Sequence, residues 1–476
     1  MPELILALDV GTTSLRAALF SPDGALSGLD RRRLATQAPS PGRLTQDPAA
    51  VWRGALAAMR GALAAAGREA RDLAAIGVTT QRTSALVWDR ATGRPLSPLV
   101  LWSDLSGAER AAELREQGFF VAPQQAAAKL EAILAGAAAP GARGLAWGAL
   151  DSWLIARLSG GAAHVTDRSQ AWPTGYLDLS SMGWNAALIA HQRLDPALFP
   201  RLVDTWGPIA ETDRRVLGAA VPITADVADQ QAALIAHGAE AGVVKATFGT
   251  SATLDLATGA ELVLRDLATP PFVLSSAGGE TRFCLEGMVY SAGAALDWLR
   301  AAARLGAPAA FDALAATVAD AGGAWFLPAL AGLGAPYADA SRRGALGGLS
   351  LATTRAQIAR AGLEGVAFRT REVFDHLHAI TGRDPPAALN VDGGLSGSDV
   401  FLGVLAEALG RPVRRHALRE ATAAGAALAA ARGAGLLAPA SAGGFVRYDP
   451  LIEPRSALGA ADARFAAWKH AAYGAS

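Results

Sequence analysis

An apolar strand runs into Gly-Thr-Thr and out into a second apolar run near the start of the chain, and a degraded copy returns deep in it. The first is Leu4-Ile5-Leu6-Ala7-Leu8-Asp9-Val10-Gly11-Thr12-Thr13-Ser14, continuing from Leu15 to Phe20. The second is Val243-Val244-Lys245-Ala246-Thr247-Phe248-Gly249-Thr250-Ser251-Ala252, continuing from Leu254 to Ala257. A glycine at such a turn lets backbone amides approach an anion with no Cβ in the way. The neighbouring N–H and hydroxyl groups then form a concave anion nest. Two such hairpins imply two related halves that grip a polyphosphate from both sides, and hence a nucleotide-using enzyme. The offset between Asp9 and Thr247 puts the junction near residue 240, with domains over 1–240 and 241–476.

Other classes are set aside by composition. Of the 476 residues 51% are hydrophobic, which supports a large core and argues against disorder. The 43 basic and 43 acidic residues cancel, so no overall field would hold nucleic acid. The basic run Arg31-Arg32-Arg33 reads as a solvated strand end. One cysteine, Cys284, excludes an internal disulfide or a thiolate metal cluster and reads as a buried filler in a reducing cytoplasm. Glu3 and Asp9 interrupt the N-terminal apolar run, so no secretory signal is read there. The longest uncharged stretch, Ala321 to Ala338, is broken by Pro328 and Pro336, so no membrane span is expected.

Strands and helices alternate along the chain, which indicates an α/β protein. The first hairpin is followed by the turn Ser21-Pro22-Asp23-Gly24 and a third strand. Asp47-Pro48 opens an Ala-rich helix as N-cap and N1 proline. A strand ends at Thr80 before Gln81-Arg82, and another covers Ser84 to Trp88. Helix is expected to dominate from about 106 to 160 and again near 185–200. The second half repeats the theme with a hairpin over 243–258, helix 291–304, strand 324–328 and a long helix over 354–381. Strand 388–391 then leads into Asp392-Gly393-Gly394, helix 399–410, and a final Ala-rich helix near 420–434.

None of Lys129, Lys245 or Lys469 follows a glycine, so a P-loop is absent and any ATP must sit in another phosphate cradle. Gly433-Ala434-Gly435-Leu436-Leu437-Ala438 fits a dinucleotide pattern by letters, but it trails a helix and reads as a helix stop. His376 and His378, two apart on a helix, point to different faces and make poor metal ligands. Asp9 at a strand end beside the first nest could orient hydrated magnesium, or belong to an ordinary hairpin turn. Asp392-Gly393-Gly394 offers bare backbone to a ribose or adenine, or is a plain strand-to-helix loop. Asp229 opens an apolar helix and by itself reads as an N-cap.

Taken together and in order, these loops resemble the FGGY carbohydrate kinases, most like the glycerol kinase branch, over essentially the whole chain. The resemblance is carried by Asp9-Val10-Gly11-Thr12-Thr13, Thr80-Gln81-Arg82, Trp102-Ser103-Asp104, Asp151-Ser152-Trp153-Leu154-Ile155 and Thr166-Asp167-Arg168-Ser169. It continues through Asp229-Gln230-Gln231, Gly249-Thr250, Leu285-Glu286-Gly287, Gly332-Leu333-Gly334-Ala335-Pro336-Tyr337 and Val391-Asp392-Gly393-Gly394. It implies two actin-like (ribonuclease H-like) ATPase domains closing over a central cleft, where ATP with Mg2+ phosphorylates a hydroxyl of a polyol or sugar. By the family pattern Asp229 is the general base, and the cap role becomes secondary. Thr12, Thr13, Gly249 and Thr250 would hold phosphates, Gly393, Gly394 and Ser398 the nucleoside, and Asp9 the metal. Arg82, Thr83, Trp102, Gln124 and Gln230 would line the substrate pocket. A small-molecule partner is implied and a homodimer is allowed, with no nucleic acid or membrane partner.

The chain departs from the branch in its pocket. Thr83 stands where a carboxylate is usual and Gln124 where a phenol is usual, Ala228 replaces a glycine before Asp229, and Leu105-Ser106 replace Arg-Arg. The Gln-Met-His-Gly of xylulokinases is absent too, at Gln81-Arg82-Thr83-Ser84. The phosphate machinery therefore reads as intact while the acceptor pocket reads as altered. A ketopentose kinase, a non-catalytic ATP-binding regulator and a nicotinamide-dependent dehydrogenase stand as the rival readings.

Overall fold

The computed structural model describes residues 3–137 and 144–474. The chain divides into two compact units. The first comprises Met1–Ala236, Phe272–Arg282 and Thr422–Val446, and the second His237–Pro271, Phe283–Ala421 and Arg447–Ser476.

In the first unit both strands of the opening hairpin form as expected, Leu4–Val10 and Ser14–Phe20, antiparallel with Asp9 opposite Arg16. They sit in a six-stranded sheet ordered Trp206–Glu211, Pro222–Ala228, Leu73–Thr80, Leu4–Val10, Ser14–Phe20, Leu26–Arg33. The three central strands Leu4–Val10, Leu73–Thr80 and Pro222–Ala228 are parallel and largely buried on both faces, the pattern of a sheet covered by helices. Helix Pro48–Ala65 covers one face; Asp47 Oδ1 accepts the Ala49 N–H at 2.9 Å and Val51, Ala55, Ala58, Met59 and Ala62 turn inward. A separate five-stranded sheet joins Gln37–Ser40, Arg43–Gln46, Leu99–Val100, Ala85–Asp89 and Leu145–Ala149.

The second unit repeats the arrangement. Its hairpin Val244–Phe248 and Ala252–Gly259 pairs antiparallel, and Val244–Phe248 pairs parallel with Leu389–Asp392, as Leu4–Val10 does with Leu73–Thr80. Five strands run in the order Glu280–Val289, Ala252–Gly259, Val244–Phe248, Leu389–Asp392, Val413–Arg415. Helices Gly293–Ala302, Arg355–Thr381 and Asp399–Leu409 contribute to the apolar core with Phe248, Phe326, Phe374 and Phe401.

The structure adds a strand to the sequence reading and corrects its account of the last helix. Helices Ala108–Glu116, Leu130–Ala137 and Leu150–Leu158 do dominate 106–160, but Leu145–Ala149 among them is a strand, paired antiparallel with Ala85–Asp89, that the sequence reading did not separate out. Its short apolar run has too few residues for periodicity to separate strand from helix. The helix near 420–434, Ala421–Gly433, is not the last, since Leu458–Tyr473 follows. The alanines and glycines of helix Ala421–Gly433 have a packing reason. A Cβ on Gly425 would stand 1.7 Å from the Ala232 carbonyl oxygen, and one on Gly77 would stand 2.4 Å from that of Ala426. Small residues are what allow this helix to press its backbone against the central strand and against helix Asp229–Ala236.

Candidate active site

Parallel strands deliver the candidate residues together in the first unit. Val10 is registered with Thr80, and Thr80 with Ala228. The residues that follow, Gly11-Thr12, Gln81-Arg82-Thr83 and Asp229-Gln230, therefore emerge side by side at the carboxyl ends of three neighbouring strands. In open α/β sheets this is where ligands bind.

Thr12 is the hub of the first loop. Its hydroxyl donates to Gln81 Oε1 at 2.9 Å and accepts from the Trp102 indole N–H at 2.9 Å, while its carbonyl accepts from Gln46 Nε2 at 2.6 Å. Gln81 Oε1 also accepts from Ser84 Oγ, and Ser84 Oγ accepts the Trp102 N–H. Thr13, next along, is exposed. Asp9 is buried and paired with Arg16, Oδ2 to Nε 3.0 Å across the hairpin.

Asp229 is the first residue of helix Asp229–Ala236, and its Oδ1 accepts the adjacent Gln230 N–H at 2.9 Å. The same oxygen lies 3.6 Å from Arg82 Nε, with the carboxylate a quarter exposed. Arg82 is held from its other face by the Phe272 ring, 4.6 Å from the guanidinium carbon. Ala228 ends an extended strand, where a Cβ is readily accommodated. Thr83 has φ 55°, a costly conformation for a β-branched residue. Its hydroxyl accepts the Ala126 N–H at 3.0 Å, which leaves its proton and one lone pair for other partners. Gln124 exposes its side chain.

Sequence reasoning missed Lys129. It is buried, and its Nζ donates to the carbonyls of Leu101, Asp104 and Gln124 at 3.0, 3.2 and 3.0 Å. One cation thus ties the Trp102 loop to the Gln124 loop. Burial pushes its pKa down to about 8. The available signal was a lone lysine inside an alanine-rich run.

In the second unit Gly249 and Thr250 form an exposed tip. A Cβ on Gly249 would meet only the Ser251 carbonyl oxygen at 3.8 Å, so the space above it is open. The tip carbonyls are anchored behind, where Gly249 O accepts the Gly293 N–H and Thr250 O that of Ala292. Gly393 has φ 87°, and a Cβ there would lie 2.4 Å from the Phe248 carbonyl oxygen. Gly394 has nothing within 4 Å of the corresponding position. Ser398 caps helix Asp399–Leu409 by accepting the Phe401 N–H at 3.0 Å. Beneath the glycine loop Asp392 accepts from His237 Nε2 at 2.9 Å, and Lys245 pairs with Asp255 at 2.6 Å. Burial alone would raise the Asp392 carboxyl, but the His237 hydrogen bond and the Lys245 charge hold it below the usual carboxylate range.

The chain can be set beside known proteins on this geometry. Residues 4–236 match the N-terminal domain of the FGGY family of carbohydrate kinases, and residues 244–434 match its C-terminal domain. Curated glycerol kinases from Thermus brockianus and Aromatoleum aromaticum are 38% and 39% identical, the alignments covering 98% of this chain and 98% and 97% of theirs. Among solved structures, a glycerol kinase from Plasmodium falciparum with ADP superposes with TM-score 0.89 at 22% identity, covering 98% of this chain and 97% of that one. A xylulose kinase from Rhodospirillum rubrum gives 0.83 at 28%, covering 98% of each. With two mixed sheets, both family domains in order and relatives matched over nearly their full length, the chain belongs to the FGGY family of carbohydrate kinases.

Proposed function

We propose that the protein transfers the γ-phosphoryl group of ATP, with Mg2+, to a hydroxyl of a small polyol or sugar, residues 1–240 holding the acceptor and residues 241–476 the nucleotide. The observation that carries this reading is the Asp229 carboxylate, part-exposed at a strand end beside Arg82. Asp229 accepts the proton of the attacking hydroxyl, and Arg82, 3.6 Å away, helps to aim the carboxylate. The open tip at Gly249 fits a phosphate cradle, and Gly11, Thr12 and Thr13 supply the matching one. Bound ATP and Mg2+ supply the phosphoryl group and part of its charge neutralisation. Asp9, oriented by Arg16, would be the carboxylate that serves a hydrated metal ion, while Gly393, Gly394 and Ser398 would receive the nucleoside.

For the acceptor, Arg82, Thr83, Trp102, Gln124 and Gln230 line the pocket. Thr83 and Gln124 are neutral hydrogen-bonding side chains, which favours an acceptor other than glycerol even though the curated relatives are glycerol kinases. An ADP-release assay with ATP and Mg2+ across glycerol, tetritols, pentitols, ketopentoses and aldohexoses tests this. ADP release dependent on one acceptor class supports the reading. Turnover independent of any acceptor supports an ATP-binding regulator instead.

A further inference from the structure

Three carboxyl groups that the proposed chemistry does not use are completely buried together in the first unit: Asp151, Asp167 and Asp226. Asp167 is fully engaged. Its Oδ1 accepts from Ser169 Oγ at 2.8 Å and Gln170 N at 2.9 Å, and its Oδ2 from Thr205 Oγ1 at 2.8 Å and Ser169 N at 3.0 Å. The other two are each half engaged. Asp151 Oδ2 accepts from Thr166 Oγ1 at 2.7 Å, and Asp226 Oδ2 from the Asp167 N–H at 2.9 Å. Their remaining oxygens, Asp151 Oδ1 and Asp226 Oδ1, are buried and have no donor among the described residues. The two side chains lie within hydrogen-bonding reach of each other. Two buried carboxylates in contact cannot both be ionised without strong repulsion, whereas one shared proton satisfies both oxygens.

We infer that Asp226 is a neutral carboxylic acid that donates its Oδ1 proton to the Asp151 carboxylate, and that this pair makes Asp226 a positioning residue for Asp229. The location of the proton follows from the surroundings. Asp151 stands in the first turn of helix Leu150–Leu158, whose N-terminus favours the anion, while Asp226 lies in strand Pro222–Ala228. Burial first, then the charges of Asp151 and Asp167, push Asp226 well above the usual carboxylate range.

The connection to Asp229 is short. Ala228, the residue before it, donates its N–H to Ser169 Oγ at 2.9 Å, and Ser169 Oγ donates in turn to Asp167. Gln170 Nε2 donates to Val227 O at 3.2 Å and to Thr80 Oγ1 at 2.9 Å. Segment 166–170 therefore clamps the ends of both strands that carry Asp229 and Gln81-Arg82, and Asp226 secures that clamp through the Asp167 N–H. This step rests on Asp229 being the base.

The test compares Asp226→Asn with Asp226→Leu in the full chain. Asparagine keeps a donor toward Asp151 and an acceptor for the Asp167 N–H, so it reproduces the protonated acid. Thermal stability and kcat should stay near wild type in Asp226→Asn. In Asp226→Leu, kcat should fall roughly ten- to a hundredfold while the KM for ATP holds, the mark of a misplaced group. An infrared difference spectrum between wild type and Asp226→Asn should show a protonated-carboxyl stretch lost at neutral pH. That readout needs no turnover, so it decides the shared proton even if the kinase reading fails or Asp226→Leu does not fold. Absence of the band, or an asparagine variant as impaired as the leucine one, overturns the inference. An Asp226→Leu enzyme with unchanged kcat removes the positioning role.

Discussion

Arg82 and Asp229 stand in an ion pair, Nε to Oδ1 3.6 Å, although they are far apart in sequence and start from different strands. The pair exists because Thr80 and Ala228 are registered neighbours in one parallel ladder, so the next residues of both strands leave the sheet together. Phe272, from a segment that returns to the first unit, stacks on the guanidinium and limits where it can point.

Asp229→Asn should lower kcat by ~10²–10⁴ with ATP affinity nearly unchanged, because the amide keeps the shape but cannot take the hydroxyl proton. Steady-state kinetics and nucleotide titration on the same preparation check this. A loss below tenfold at wild-type stability leaves Asp229 only its contact to the helix start.

Gly249 and Gly393 should fail in different ways. Gly249→Val places its side chain in open space, so the fold should persist while the KM for ATP rises. Gly393→Val forces a β-branched residue to φ 87° against the Phe248 carbonyl. Overpacking of this kind costs about 1–3 kcal/mol, and the melting temperature should drop before any binding is measured. Equal nucleotide kinetics for Gly249→Val and wild type would remove the second hairpin from the site.

The acceptor pocket can be rewritten. Thr83→Glu with Gln124→Tyr should shift the ratio of kcat/KM toward glycerol over the best alternative acceptor. Loss of one hydrogen-bonding partner in a desolvated site is worth about 1–3 kcal/mol, roughly five- to a hundredfold in specificity. The substitution at 83 also relieves a β-branched residue at positive φ, but it forfeits the hydroxyl that receives the Ala126 N–H. If the unmodified enzyme already prefers glycerol to every alternative, the altered-pocket argument is wrong.

Acid should weaken the fold through buried histidines. His164 lies between Arg90 Nη1 and the Trp147 carbonyl, and His378 stacks on Phe374; burial lowers both to about 4. An unfolded histidine titrates near 6.5, so between these values the unfolded chain binds more protons and stability falls as pH falls. Denaturant melts across this window check the sign. Neither ring nitrogen of His378 has a hydrogen-bond partner among the described residues. His378→Phe should therefore gain about 1 kcal/mol at neutral pH and flatten the acid limb.

Local signals were legible without coordinates. The two glycine hairpins, the Asp47-Pro48 helix start and the long helix Arg355–Thr381 follow from nearest-neighbour chemistry: a turn glycine, a cap, a sustained apolar period. The order of the loops was enough to identify the family. What only the tertiary structure decided are relations between distant residues. Lys129 matters because three carbonyls from two separate loops converge on it, and Asp226 because Asp151 and Asp167 do. The small residues of helix Ala421–Gly433 find their reason only in its close approach to Gly77 and Ala232. Strand Leu145–Ala149 was lost among helices because five residues carry less than two helical turns of pattern, and only its pairing with Ala85–Asp89 settles it. Periodicity reports which face of a segment is apolar; which partner that face or charge meets depends on the packing of the whole chain.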